Sequence, residues 1–84
     1  MRREGRKAEY DPEADAIYVR LSDAPLVRTI QLGDARNIDV AADGSVVGVE
    51  FLGVRGGIDL SDIPERETVE RLIGRLGLSM RVIA

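Results

Sequence analysis

The 84-residue sequence predicts an α+β fold: an antiparallel β-meander of four to five strands, with one C-terminal helix packed on one face. Three observations predict it. Residues 16–21 alternate between apolar and polar side chains, as a half-buried strand does. The pattern of a β-hairpin follows between Asn37 and Phe51, with Asp43-Gly44 at its centre. Apolar residues then recur at helical spacing from Val69 to Leu76.

The first two strands are expected on either side of an acidic turn. Asp11-Pro12-Glu13-Ala14-Asp15 favours a turn, because proline presets φ and aspartate tolerates turn geometry. Lys7 to Tyr10 then pairs back on the alternating segment as a short first strand. In that segment Tyr18 and Arg20 point away from the apolar positions. Leu26 to Leu32 predicts a further strand, but both of its faces carry apolar residues, so its orientation stays open.

The hairpin has a predicted register. Asp43-Gly44 favours a two-residue type I′ turn, because both positions tolerate positive φ. Apolar residues then face apolar residues, and polar residues gather on the opposite side, an agreement that a slip of one residue would destroy. The expected pairs are Val40 with Val47, Ile38 with Val49, Arg36 with Phe51, Asn37 with Glu50 and Asp39 with Gly48.

The helix is predicted from Pro64 to Leu76, with one apolar stripe that covers the sheet. Asp62 is the expected N-cap, and Glu65, three residues later, completes the pattern of a capping box. Gly77 is the expected left-handed residue after the helix.

The remaining segments connect and flank these elements. Glycines in 53–57 let the chain leave the sheet, and the apolar residues of 58–60 are expected to pack beneath it. The tail 78–84 is expected to be extended. Residues 1–6 are predicted to be a flexible N-terminal arm, and residues 7–84 a single domain.

The composition excludes several kinds of chemistry. The chain contains no Cys and no His, which removes thiolate and imidazole metal sites and nucleophile–histidine pairs. We therefore expect no cofactor, no metal and no enzymatic activity. The net charge of −3 argues against nucleic acid, because neutralisation of phosphates drives that binding. No apolar run reaches transmembrane length and no secretory signal is present, so we expect no membrane and a cytoplasmic protein.

Two motifs invite a binding role that their context does not support. Asp11, Glu13 and Asp15 have the spacing that opens a calcium loop, yet Ala16 stands where such a loop needs Gly and Ser22 where it needs Glu. The glycine run lacks the Lys and the Ser or Thr that complete a phosphate-binding loop. A turn with solvated carboxylates explains the first pattern better, and glycines that let the chain leave the sheet and cross toward the helix explain the second.

The polar face of the sheet is the candidate surface for a protein partner. A carboxylate pair for acid–base catalysis would need a pocket that raises one pKa, and a short sheet offers none. The two carboxylates that could form such a pair are Asp39 and Glu50, and the polar outer face of a half-buried sheet accounts for both. We name five residues of this face as candidate partner-binding residues: Tyr10, Tyr18, Arg20, Asp39 and Glu50.

Three stretches of the sequence carry a resemblance to a family. They are YDPEADAIYVRLSDAP at 10–25, Thr29 with Leu32-Gly33-Asp34, and VAADGSVVGVEFLG at 40–53. Together they resemble a widespread prokaryotic family designated domain of unknown function 2283, over roughly residues 7–59. The resemblance carries no catalytic motif and transfers no active-site residue. It implies an antitoxin-like or accessory role beside another small protein.

These observations predict a small interaction module. A short chain without disulfides gains stability by association, and open sheet edges can pair with another chain. Val46 and Leu52, expected opposite the main core, add an apolar patch, and we expect a homodimer, with a further small protein as a candidate partner. A nucleic-acid accessory protein using the Arg-rich arm is the alternative. A metal- or carboxylate-dependent hydrolase that uses Asp11, Glu13 and Asp15 is the third hypothesis.

Overall fold

The computed structural model describes residues 6–79 and 81–83. The predicted α+β class is confirmed, with a five-stranded antiparallel sheet and one C-terminal helix. A short 3₁₀ turn at Val54–Gly56 links the large sheet to the remaining elements. The strands and the helix are β1 (Lys7–Asp11), β2 (Ala16–Arg20), β3 (Arg28–Gln31), β4 (Arg36–Val40), β5 (Val46–Leu52), β6 (Ile58–Asp59), α1 (Arg66–Gly74) and β7 (Val82–Ile83).

The strand order of the large sheet is β1-β2-β5-β4-β3. A simple meander would keep chain order, so the structure departs from the expected meander at one connection. After β2 the chain passes to the opposite edge, forms β3 there, and returns strand by strand until β5 pairs with β2. The strands β1 and β3 are therefore the two edges of the sheet.

The hairpin register is confirmed at four of the five predicted pairs: Arg36 with Phe51, Asn37 with Glu50, Ile38 with Val49 and Asp39 with Gly48. The fifth pair is wrong. Val40 lies opposite Val46, because an irregularity interrupts the ladder between Asp39 and Val40. Val46 consequently packs against the core. The expectation that Val46 lies on the face opposite the core is therefore wrong.

The turn of this hairpin also differs from the prediction. Ala41 accepts a hydrogen bond from the Gly44 N–H and donates one to the Ser45 carbonyl, each 2.9 Å long. Gly44 has φ 86°, whereas Asp43 is not among the residues with positive φ, so the type I′ turn is wrong. The Asp43 carboxylate instead accepts hydrogen bonds from the Ser45 N–H and hydroxyl, at 2.9 and 2.7 Å.

One core lies between the sheet and α1. Alternate residues of β2 and β5 supply its sheet side, and the apolar stripe of α1 supplies the other. Ile58 and Leu60 are buried beneath the sheet, as predicted. The central members are Ile17, Val19, Val49, Phe51, Val54, Ile58, Leu60, Val69, Leu72 and Ile73.

The start of α1 contradicts the predicted capping box. The helix begins at Arg66, and Glu65 occupies the N-cap position with φ 53° and no side-chain cap hydrogen bond. Asp62 lies in the preceding turn, also in a left-handed conformation with φ 60°, so it is not the N-cap. The residues that the sequence pattern assigns to the helix cap instead form the turn between Leu60 and the helix. Gly77 does have the expected left-handed φ, 70°.

Arg36 ties the segment after β6 to the sheet. One guanidinium nitrogen donates to the carbonyls of Asp59, at 3.1 Å, and of Ser61. The other lies 3.8 Å from the Asp59 carboxylate. This arginine therefore has a structural role on the core side of β4.

The ends of the chain are described in part. The extended tail is confirmed at Val82–Ile83, which pairs in parallel with β6. The predicted arm lies outside the described residues except for Arg6, whose guanidinium is 3.7 Å from the Glu65 carboxylate. No helix in the described part of the chain is long and apolar enough to cross a membrane.

Candidate functional site

The face of the large sheet opposite α1, which we call the outer face, collects most of the predicted site residues. Tyr18 lies opposite Glu50 on the neighbouring strand, and Arg20 lies opposite Gly48. Asp39 lies opposite Gly48 from the other side. The alternation of β2, β4 and β5 therefore brings four of the five predicted residues to one surface.

The fifth residue, Tyr10, is placed elsewhere. It pairs with Ile17, whose side chain belongs to the core, and it packs against that core. Directly paired residues share one face of a sheet, so the prediction that Tyr10 lies on the outer face is wrong. The length of the acidic turn sets the register of β1, and this register rotates Tyr10 toward α1.

A hydrogen-bonded network on the outer face joins residues of three strands, β2, β4 and β3, and passes over a fourth, β5. The Tyr18 hydroxyl donates to Asp39 Oδ2 at 2.9 Å, and the Thr29 hydroxyl donates to Asp39 Oδ1 at 2.7 Å. To reach Asp39, the Tyr18 ring must pass over Gly48 of the intervening strand. A Cβ added at Gly48 would lie 2.0 Å from the Tyr18 hydroxyl oxygen. Glycine thus provides the space in which the network forms.

The electrostatics of the network keep Tyr18 protonated. Burial, then the hydrogen bond to Asp39 and the charge of that carboxylate, raise the pKa of Tyr18 to about 12. Arg20 opposes this shift only in part; its guanidinium carbon lies 6.0 Å from the centre of the tyrosine ring. A phenol with such a pKa does not act as a base near neutral pH.

A second polar pair lies beside the network. Asn37 donates to Glu50 Oε1 at 3.0 Å. Glu50 also borders an open depression of about 570 Å³ at the end of the sheet near the acidic turn. The depression has a negative character, because three carboxylates line it. Its lining residues are Glu9, Tyr10, Asp11, Ala14, Ala16, Tyr18 and Glu50.

Two carboxylates of the acidic turn, those of Asp11 and Asp15, accept hydrogen bonds within the protein. Asp11 Oδ1 accepts the N–H groups of Glu13 and Ala14, at 3.1 and 3.3 Å. Asp15 Oδ1 accepts the N–H of Arg55 at 3.0 Å, which connects the turn to the glycine run. Within residues 6–79 and 81–83, no three His, Cys, Asp or Glu side chains are grouped so that they could hold a metal ion.

The β3 edge, which we define as β3 with the preceding Leu26 and Val27, is a second candidate surface that the sequence analysis did not single out. Leu26, Val27 and Ile30 are 51%, 59% and 41% exposed. No described strand pairs with the outer side of β3. The opposite edge is different, because β1 carries the charged pair Lys7 and Glu9, 3.3 Å apart, and such charges discourage pairing with another chain.

Sequence reasoning missed two members of the outer-face network, Thr29 and Gly48. A signal for Gly48 was present, since an isolated glycine inside a strand pattern often marks close approach of another group. Thr29 could not be placed, because the orientation of its strand was ambiguous.

A protein-family model matches the part of the chain that forms these surfaces. The model of a family described as proteins of unknown function, DUF2283, matches residues 7–55. The chain belongs to this family. The part that matches DUF2283 contains all five strands of the large sheet, and with them the outer face and the β3 edge. No curated protein and no solved structure matches the chain.

Proposed function

We propose that this DUF2283 protein is a small protein-interaction module without catalytic activity, and that it acts as a homodimer. The observation that carries the proposal is the β3 edge, where apolar side chains stand exposed along a strand with an open side. Such an edge offers main-chain hydrogen bonds for affinity and side chains for specificity. The absence of His and Cys from the chain supports a role in binding rather than catalysis.

The outer face supplies a second contact surface in this proposal. Tyr18, Asp39 and Glu50 are held by hydrogen bonds in an ordered polar pattern before any partner arrives, and the exposed Arg20 lies beside Tyr18. An ordered pattern lowers the entropy cost of binding. The partner that we propose for it is another small protein, toward which this chain has an antitoxin-like or accessory role.

Purification of the tagged chain from its native cell, after cross-linking in the cell, tests this function. We expect the chain to recover a second copy of itself and a small protein in fixed stoichiometry. Arg20→Glu should reduce recovery of the small protein. Arg71→Glu, a matched charge reversal on the exposed side of α1, should not. Recovery of no stoichiometric protein under several growth conditions would contradict the proposal.

The self-association part has its own measurement. Size exclusion coupled to light scattering at micromolar concentration should give about twice the mass of one chain. A mass of one chain would remove the homodimer from the proposal.

The nucleic-acid alternative depends on the Arg-rich start of the chain. Its described residues are already paired with carboxylates, Arg6 with Glu65 and Lys7 with Glu9. The alternative predicts a salt-sensitive gel shift that disappears when residues 1–7 are deleted. Absence of a shift at low salt would eliminate it.

A further inference from the structure

We propose that two copies of this chain associate by antiparallel pairing of their β3 strands, with the two-fold axis beside Ile30. This inference depends on the proposed function, because it specifies how the homodimer forms. It joins the two five-stranded sheets into one continuous sheet.

The backbone determines which groups are available for this pairing. The Leu32 N–H donates to the Arg36 carbonyl at 2.9 Å. Backbone groups of successive strand residues point in opposite directions, so Arg28 and Ile30 also face β4. The N–H and C=O groups of Thr29 and Gln31 then point to the open side of β3. These are the groups that a further strand would bind.

Two-fold symmetry then selects the register. With the axis at Ile30, Thr29 of one copy lies opposite Gln31 of the other, and each such pair exchanges two hydrogen bonds. Ile30 lies opposite Ile30 of the other copy, at a position without main-chain hydrogen bonds, where side chains approach most closely. This register uses the whole of β3.

The apolar side chains match across the same axis. Ile30 pairs with Ile38, which pairs with Val49, so the three share the core face. Exposure rises along this row, from 0% at Val49 and 9% at Ile38 to 41% at Ile30. The row therefore ends at the open edge with its last side chain half covered. A second Ile30 continues the row and covers it.

Charges favour a second copy in this register over shifted ones. An axis at Arg28 would place two guanidinium groups opposite each other, which is destabilising. An axis at Thr29 would place Arg28 opposite the apolar Ile30. With the axis at Ile30, Arg28 lies opposite Leu32, close to the β3–β4 turn of the other copy, where Asp34 is exposed. The edge is thus complementary to itself in charge as well as in apolar contact.

Single cysteines test the register directly, because the chain contains none. In the proposed dimer the Cα atoms at position 30 are about 4.5 Å apart, within the range of disulfides. Under mild oxidation at micromolar concentration, Ile30→Cys should form a covalent dimer at least about tenfold faster than Glu9→Cys, a control on the exposed edge β1. Equal rates, or faster cross-linking by Thr29→Cys than by Ile30→Cys, would overturn the register.

Ile30→Lys tests the surface without new covalent chemistry. We expect its dissociation constant to rise at least about tenfold, with an unchanged circular dichroism spectrum. Leu52→Lys, the same change at an exposed apolar residue of the outer face, should leave the dimer intact. A wild-type mass of one chain would overturn the homodimer itself. A dimer insensitive to Ile30→Lys would overturn only pairing through β3 and leave the interaction function standing.

Discussion

At the scale of residues, the position of Tyr18 depends on the side chain that Gly48 lacks. A methyl group there would meet the tyrosine hydroxyl, and the ring would have to leave Asp39. We predict that Gly48→Ala destabilises the protein by about 1–2 kcal/mol, because the lost hydrogen bond to a charged group, about 1.5–3 kcal/mol, outweighs the gain of about 0.5–1 kcal/mol from the lower chain entropy of alanine. The free energy of unfolding from denaturant titration measures this loss.

A double-mutant cycle isolates the cause. In a Tyr18→Ala background, the methyl group added by Gly48→Ala no longer meets the tyrosine ring. Because alanine loses less conformational freedom on folding than glycine, the substitution should then stabilise the protein by about 0.5–1 kcal/mol. The sign of the effect should therefore reverse. Equal destabilisation in both backgrounds would show that Gly48 is required by the backbone rather than by Tyr18.

The raised pKa of Tyr18 predicts how stability depends on pH. Folding raises this pKa from the ordinary value of 10.0 to about 12. Above pH 10 the unfolded chain loses its proton first, so the contribution of Tyr18 to stability is fully present below about pH 10 and falls between about 10 and 12. Tyr18→Phe should reduce that fall. Phenolate absorbance of a Tyr10→Phe variant, in which Tyr18 is the remaining tyrosine, gives the pKa directly.

The composition of the outer face was predictable, whereas its network was not. Alternation in each strand places Tyr18, Asp39 and Glu50 on a polar face whatever the strand order. The hydrogen bond from Tyr18 to Asp39 requires that β5 lie between β2 and β4. That arrangement follows from the packing of the whole sheet, which a periodicity of two residues does not encode.

At the scale of elements, the β4–β5 hairpin was also predictable only in part: its strand pairing followed from the sequence, whereas its loop did not. Alternating side chains determine the four confirmed pairs, because each apolar residue must reach the core. The loop is determined by local hydrogen bonds. The Asp43 carboxylate accepts a hydrogen bond from the Ser45 N–H, and Asp43 thereby avoids a left-handed conformation. In this loop only Gly44 is left-handed, and the loop is one residue longer than the predicted two-residue turn. The displaced pairing of Val40 follows from that extra residue.

The start of α1 carries a left-handed residue that the sequence pattern did not predict. Glu65 has φ 53°, which costs about 1 kcal/mol or more for a residue with a Cβ. We predict that Glu65→Gly stabilises the protein by about 0.5–1 kcal/mol, because glycine accepts this conformation. The control is Glu67→Gly inside α1, which should destabilise by about 1 kcal/mol. Urea titration of both variants tests the sign, and destabilisation by both would contradict the prediction.

At the scale of the whole molecule, a single layer of helix covers only part of the sheet. The helix contacts β1 and β2, whereas β3, at the far edge, is exposed along its whole length. On the core face, the exposed fraction of the apolar side chains rises from β5 through β4 to β3, from 0% at Val49 and 9% at Ile38 to 41% at Ile30. This gradient depends on the placement of β3 at the sheet edge, which the sequence alone left open, and it is the physical reason to expect association at that edge.

Association coupled to folding makes the melting temperature depend on protein concentration. For an 84-residue chain that unfolds from a dimer in one step, each tenfold increase in concentration should raise the melting temperature by roughly 4 °C. Ile30→Lys should melt at a lower temperature that depends less on concentration, because more of the chain then unfolds as a monomer. Leu52→Lys should keep the wild-type dependence. A wild-type melting temperature that is constant across a hundredfold range of concentration would mean that the one helix-covered core is sufficient, and that the β3 edge serves a partner other than this chain.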